Sequence, residues 1–367
     1  MTILPASRWS QRGVTLIELM ISMTLGLIVL AGIFSVYLAS RRSHTMNEAL
    51  AARQETIRYV TQRLSKDVRM AGYRGCLRDT GEIRNTLNPD PAASAGTRND
   101  FTHPDFLYRF DRYTEGFEAQ GSSWSPALPP QIAGVVRGTD VLTVRAVMDP
   151  EVYVVKEMPV TSADIKTNSL NPAPLRVSDI VLITDCGAAA IFQITNYNLA
   201  TENNSKGNPA HYGNIVHNTG NSTVPGNWTK DLGRKYPVGS QIMRIGTISY
   251  YIRNSANGTG PALWRDLDGT TQEIAEGVEN LQVLYGEDTN GDLVADAYRP
   301  ANLIADAAAW RRVVAVRVAL LAAGTRGRAG ELDPRRFDLL GTSVGPFNDG
   351  RLRRVVTLTL SLRNRLP

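Results

Sequence analysis

The chain has 367 residues, 43% apolar and 20% charged, enough to bury a sizeable core in one or two domains. Lys and Arg number 40 against 35 Asp and Glu, a net charge of +5, too small and too dispersed for a nucleic-acid binder. The cluster Arg351, Arg353 and Arg354 and the pair Arg335-Arg336 read as solvated faces.

Near the N-terminus, Arg12-Gly13-Val14-Thr15-Leu16-Ile17-Glu18 precedes an apolar run from Leu19 to Leu38 with no further charge. That run is long enough to cross a bilayer, and the span is placed at 17–38. An acidic residue costs about 2.5 to 3.5 kcal/mol at the centre of such a helix and less near its end. Glu18 is therefore either a boundary residue that reaches water or a residue with a task. A secretory signal fits poorly, because its apolar core is about 7 to 15 residues with small residues behind it. Here Arg41 and Arg42 close a longer run. Arg8 and Arg12 before it and Arg41, Arg42 and Arg53 after it leave orientation by charge weak.

Beyond the span, Met46, Leu50, Ile57, Val60, Leu64, Val68 and Ala71 recur at helical spacing, with Arg53, Glu55, Arg58, Arg63, Lys66 and Asp67 on the other faces. No proline interrupts 14–72 and Gly72 offers a stop, which predicts one helix over 14–72. Residues 79–131 and 198–235 are rich in Pro, Asn, Asp and Gly and read as long loops. Strands are expected at 141–147, 152–156, 180–184, 191–197, 241–253, 278–285, 312–321 and 354–363. One long helix followed by a β-rich globular domain over 73–367 makes an α+β chain.

Two cysteines, Cys76 and Cys186, lie behind the membrane segment, where an even count favours one disulfide over two buried free thiols. Asp288, Asn290, Asp292 and Asp296 surround Gly291 with the oxygen chemistry that suits Ca²⁺, or else form a polar turn. No other cofactor is called for. Gly341-Thr342-Ser343-Val344-Gly345 matches a nucleophile-elbow pattern, yet Pro346 follows and no histidine comes later. His44, His103, His211 and His217 form no ligand pattern, and the loop histidines read as solvated. No phosphate-binding glycine motif occurs.

Gly13-Val14-Thr15-Leu16-Ile17-Glu18 after a short basic leader resembles the class III signal of type IV pilins and pseudopilins. The resemblance implies a leader of 1–13, a cut between Gly13 and Val14 by a prepilin peptidase, methylation of Val14, and Glu18 as the fifth mature residue. Val14 departs from the phenylalanine usual there. Met70 to Cys76, Asp185-Cys186 with Ala190 to Thr195, Gly277-Val278-Glu279, Leu284-Tyr285-Gly286 and Leu362 to Arg365 look like the PilW family of minor pilins.

That likeness implies a pilin-like fold and a structural protein, not an enzyme. It would serve type IV pilus biogenesis in a tip-proximal priming complex with other minor pilins, the major pilin and a tip adhesin. It would cross the inner membrane once, N-terminus in the cytoplasm and C-terminal domain in the periplasm. Glu18 would pair with the Val14 amine of a neighbour, and Gly26 and Gly32 would permit close helix approach. A minor pseudopilin of a type II secretion system is the first alternative, and a membrane-tethered periplasmic enzyme the second.

Overall fold

The computed structural model describes residues 13–77, 82–88, 105–158, 162–170, 174–203, 209–220, 223–324 and 332–362. The leader up to Arg12, His103 and the closing Arg363-Asn364-Arg365 lie outside them. The chain forms two compact units, 1–54 and 55–367, and one helix, Leu16–Met70, has residues in both.

The helix is shorter at each end than 14–72, for local reasons. Thr15 stands outside the helix as its N-cap, its hydroxyl accepting the Glu18 N–H at 3.4 Å, while the Glu18 carboxylate accepts the Thr15 N–H at 3.5 Å. This reciprocal pair is a capping box. At the other end Gly72 takes φ +73°, and an added Cβ would lie 2.9 Å from the Tyr113 ring. The chain turns there, and the Gly72 N–H donates to the Arg145 carbonyl at 3.1 Å.

In the second unit, Val60, Leu64, Val68 and Ala71 are buried against two sheets. The larger has nine strands, with Gln241–Asn254 at its centre, flanked by Val141–Tyr153 on one side and Ile180–Thr184 and Pro261–Leu267 on the other. The smaller is antiparallel, ordered Ala297–Arg299, Val278–Glu287, Val313–Ala323, Arg353–Ser361. Leu142, Val144, Ile248 and Tyr250 of the first sheet and Leu281, Val283, Val316 and Val318 of the second share that core with the helix residues. A three-stranded sheet of Asp164–Thr167, Pro209–Val216 and Asn196–Asn203 stands beside it.

Several expectations need correction. The polar segments 79–131 and 198–235 contain strands, among them Thr114–Gln120 and Pro209–Val216. The latter is recruited by side-chain bonding: Asn214 donates to Asn198 at 3.0 Å and accepts from Lys166 at 3.0 Å, while Ile165 and Ile215 supply an apolar face. Val141–Tyr153 is one strand instead of two. The hairpin Pro261–Leu267 with Thr270–Glu276 was not expected. Its signal was present in Asp268-Gly269, both at positive φ, which is the demand of a tight two-residue turn.

Three groups read as solvated are buried. Asp67 turns inward. Arg353 is held by Glu279 at 2.5 Å and Asp349 at 2.6 Å. His217 packs on Phe192 with ring centroids 4.8 Å apart. Long-range partners decide each case, and local polarity does not reveal them.

Candidate assembly site

Gly13, Val14 and Glu18 lie on exposed backbone and helix at the start of the first unit. The large apolar side chains from Val14 to Tyr37 are more than half exposed, from 53% at Tyr37 to 79% at Leu16. Water opposes such a surface, because about 25 cal/mol is lost for each Å² of apolar area left wet. The helix therefore needs lipid or other apolar helices around it.

Its polar groups suit such surroundings. The Ser22 hydroxyl donates to the Glu18 carbonyl at 2.7 Å, Thr24 to Ile21 at 2.8 Å and Ser35 to Gly32 at 2.8 Å. Each hydroxyl is satisfied within the helix, as a low-dielectric environment requires. At Gly26 and Gly32 an added Cβ would meet nothing within 4 Å, so both glycines keep open notches on the surface. Close approach of a second helix is the known use of such notches in lipid. Among the described residues this is one helix long and apolar enough to cross a membrane.

In the second unit the helix end is fixed by three kinds of bond. Val60, Leu64 and Val68 bury apolar area. One Asp67 carboxylate oxygen accepts from the Tyr250 hydroxyl at 2.6 Å and from Arg265 Nε at 2.8 Å. Burial and the Asp67 charge together push the Tyr250 phenol well above its ordinary range. Beyond the helix, Cys76 and Cys186 form a disulfide with Cα atoms 4.8 Å apart, inside the usual span for such bonds. Cys186 sits in the turn between Ile180–Thr184 and Ala188–Gln193, where Asp185 Oδ1 accepts the Gly187 and Ala188 N–H groups at 3.1 and 3.0 Å. The bond clips the segment after the helix to a sheet hairpin.

The Asp288–Asp296 loop is built as a polar turn, the second of the two readings its residues allow. Asp288 accepts three backbone N–H groups, from Asn290 at 3.2 Å, Gly291 at 2.6 Å and Leu293 at 2.9 Å. Asp296 accepts the Thr289 N–H and hydroxyl, both at 2.7 Å. Asn290 presents its amide NH₂, not its oxygen, to Asp292 and Asp296, 3.2 Å from each. Spacing in sequence could not separate this Asx-type turn from a ligand loop, since both use the same residues. Among the described residues, no group of three His, Cys, Asp or Glu side chains could hold a metal ion. Ser343 lies in the hairpin Phe337–Leu339 with Thr342–Val344, not at a strand-to-helix elbow.

Residues 10–34 match the prokaryotic N-terminal methylation motif. Residues 249–364 match PilW, type IV pilus-assembly protein W. Over these two stretches the chain is similar to the PilW family and to a prepilin-like N-terminus. No curated protein and no solved structure matches it. The PilW match takes in the whole four-stranded sheet and the hairpin 261–276. Met70 to Cys76 and Asp185 to Thr195 lie outside the matched residues. The methylation match takes in Gly13, Val14, Glu18, Gly26 and Gly32.

Proposed function

We propose that the chain is a minor pilin needed for type IV pilus biogenesis. A prepilin peptidase cuts between Gly13 and Val14, and the new Val14 amine is methylated. Residues 17–38 hold the precursor in the inner membrane, with the β-rich domain on the periplasmic side. The mature chain then joins other minor pilins and the major pilin in a tip-proximal priming complex that meets a tip adhesin. A domain of this bulk favours a rare subunit over one repeated along a thin fibre.

One coincidence carries this proposal. The methylation motif coincides with the uncovered apolar part of a helix whose other end is built into a β-rich domain bearing the PilW match. Physically, Glu18 pairs with the Val14 amine of a neighbouring subunit, which offsets a charge held in an apolar bundle and penalises wrong registers. A match to a pilus-assembly family supports a structural role instead of catalysis, and supports the pilus branch over a secretion-system pseudopilin.

Processing is the direct test. Mass spectrometry of the mature protein is expected to find an N-terminus at methylated Val14, and Gly13→Phe is expected to leave the full-length precursor in the membrane. A mature N-terminus near Ala39 or Arg41 would replace the pilin by a secreted domain.

A further inference from the structure

The strand Arg353–Ser361 closes one side of the four-stranded sheet, and among the described residues its one ladder is with Val313–Ala323. The pairs run from Ala315 with Ser361 to Ala323 with Arg353 without a bulge. Two bonds fix where its backbone groups point. At the ends of the ladder, the Leu362 N–H donates to the Val314 carbonyl at 2.9 Å and the Gly324 N–H to the Leu352 carbonyl at 2.8 Å. Bonded and non-bonded positions alternate along an antiparallel pair. Arg354, Val356, Leu358 and Leu360 therefore bond to the neighbouring strand. Val355, Thr357, Thr359 and Ser361 turn their N–H and C=O groups outward, and none of the four makes a further backbone bond among the described residues.

An open row of this kind pairs readily with another chain, and folds guard against it with short strands, charges, prolines or bulges. Other terminal strands of the two main sheets carry such guards. Glu82–Asn85, Ser123–Ser125 and Ala297–Arg299 have three or four residues each. Thr270–Glu276 is bulged against its neighbour between Leu263 and Trp264, and it bears Glu273 and Glu276. Arg353–Ser361 has nine residues, no proline and no bulge. Its charges lie at one end, where Arg353 is turned to Glu279 and Asp349. Leu360 is buried in the main core, and the partly buried Leu358 packs against that core. On the opposite face Thr357, Thr359 and Ser361 are exposed.

We propose that this edge docks an extended strand of another pilus subunit, which continues the four-stranded sheet by one. The inference rests on the pilin reading above. The incoming backbone meets the outward groups from Val355 to Ser361, with apolar side chains beside Leu358 and polar ones beside Thr357 and Thr359. A second copy of the same strand fits less well. Paired about Thr357, it sets the Arg354 charge opposite the buried Leu360.

Proline separates edge pairing from folding, because it is tolerated where the N–H faces outward and not where the N–H serves the ladder. The test uses full-length protein extracted in detergent from cells that assemble pili. Thr357→Pro is expected to keep the wild-type unfolding midpoint and to lose at least about tenfold in co-purification with other pilins. Thr357→Ala keeps the backbone donor and is expected to co-purify as the wild type does. Val356→Pro removes an inward N–H and is expected to lower the midpoint. In hydrogen exchange, amides 357, 359 and 361 are expected to be about tenfold better protected in the co-purified complex than in the protein alone. Normal co-purification of Thr357→Pro, equal losses in Thr357→Pro and Thr357→Ala, or a Thr357→Pro midpoint as low as that of Val356→Pro overturns the strand joint. If Val14 is methylated in those same preparations, the pilin reading stands without the joint. A wild type with its N-terminus elsewhere and no pilin bound overturns both.

Discussion

Asp67 on the long helix and Arg265 on a sheet strand form a buried ion pair at 2.8 Å, and the Tyr250 hydroxyl donates to the same carboxylate oxygen at 2.6 Å. Both charged groups are almost fully covered, with side-chain exposures of 6% for Arg265 and 8% for Asp67. The second unit thereby holds the helix by one geometry-specific contact in addition to apolar packing.

Removing one partner of a buried pair leaves the other charge without compensation, which costs about 3 to 5 kcal/mol. Asp67→Ala is therefore expected to lower the stability of the full-length protein in detergent by that order, read by thermal or urea unfolding. Asp67→Asn keeps an oxygen acceptor for Arg265 and Tyr250 and is expected to lose less. Arg63, 3.9 Å from the same carboxylate and partly exposed, contributes little, so Arg63→Ala is expected to stay near wild type. Equal stability of Asp67→Ala and wild type would mean that packing alone fixes the helix.

The helix was legible because its apolar residues repeat at one period and Gly72 stops it. Asp67 was not legible, because a charged residue among Arg63 and Lys66 reads as solvent-facing until Arg265 is seen to reach it. The four-stranded sheet was largely readable from β-branched runs such as Val313 to Val318. The three-stranded sheet was not, since Asn196–Asn203 and Pro209–Val216 pair through polar side chains. At the N-terminus the motif around Gly13 and Glu18 is contiguous, so it could be seen whole. The Thr15–Glu18 capping box has a sequence signature of its own, a Thr three residues before a Glu.

The disulfide closes a separation of 110 residues, which stabilises by roughly 4 to 5 kcal/mol in the chain-entropy account. Cys76→Ser with Cys186→Ser is expected to lower the unfolding midpoint by that order. Reductant is expected to lower the wild type to the same level and to leave the double variant unmoved. Mobility on non-reducing gels checks that the bond is present. A reductant effect of equal size in both proteins would mean that the bond is absent from the working molecule.

His217 makes the acid side of the pH profile. Its Nε2 donates to the Lys230 carbonyl at 3.2 Å, and its Nδ1 is buried without a hydrogen bond. Burial pushes the imidazole down from 6.5 to about 4. A depressed histidine stabilises the fold above the unfolded value of 6.5, and that contribution, about 3 kcal/mol in full, is lost as pH falls toward about 4. The stability difference between wild type and His217→Gln is expected to shrink steadily from pH 7 to pH 4.5. A difference that stays constant with pH would remove His217 from the titration.

Glu18 has two roles that one substitution can separate. Its carboxylate caps the Thr15 N–H, and glutamine serves the same position in a capping box. Glu18→Gln therefore keeps the helix start and removes only the charge, while Glu18→Ala removes both. Each is expected to leave the unfolding of the β-rich domain unchanged, because that core contains no residue of the first unit. If the proposed pairing of Glu18 with a neighbour's Val14 amine sets the register, Glu18→Gln reduces incorporation into fibres and co-purification with partner pilins as strongly as Glu18→Ala. Normal piliation with Glu18→Gln and a defect only in Glu18→Ala would assign Glu18 to helix capping and leave register to the apolar surface and its glycine notches.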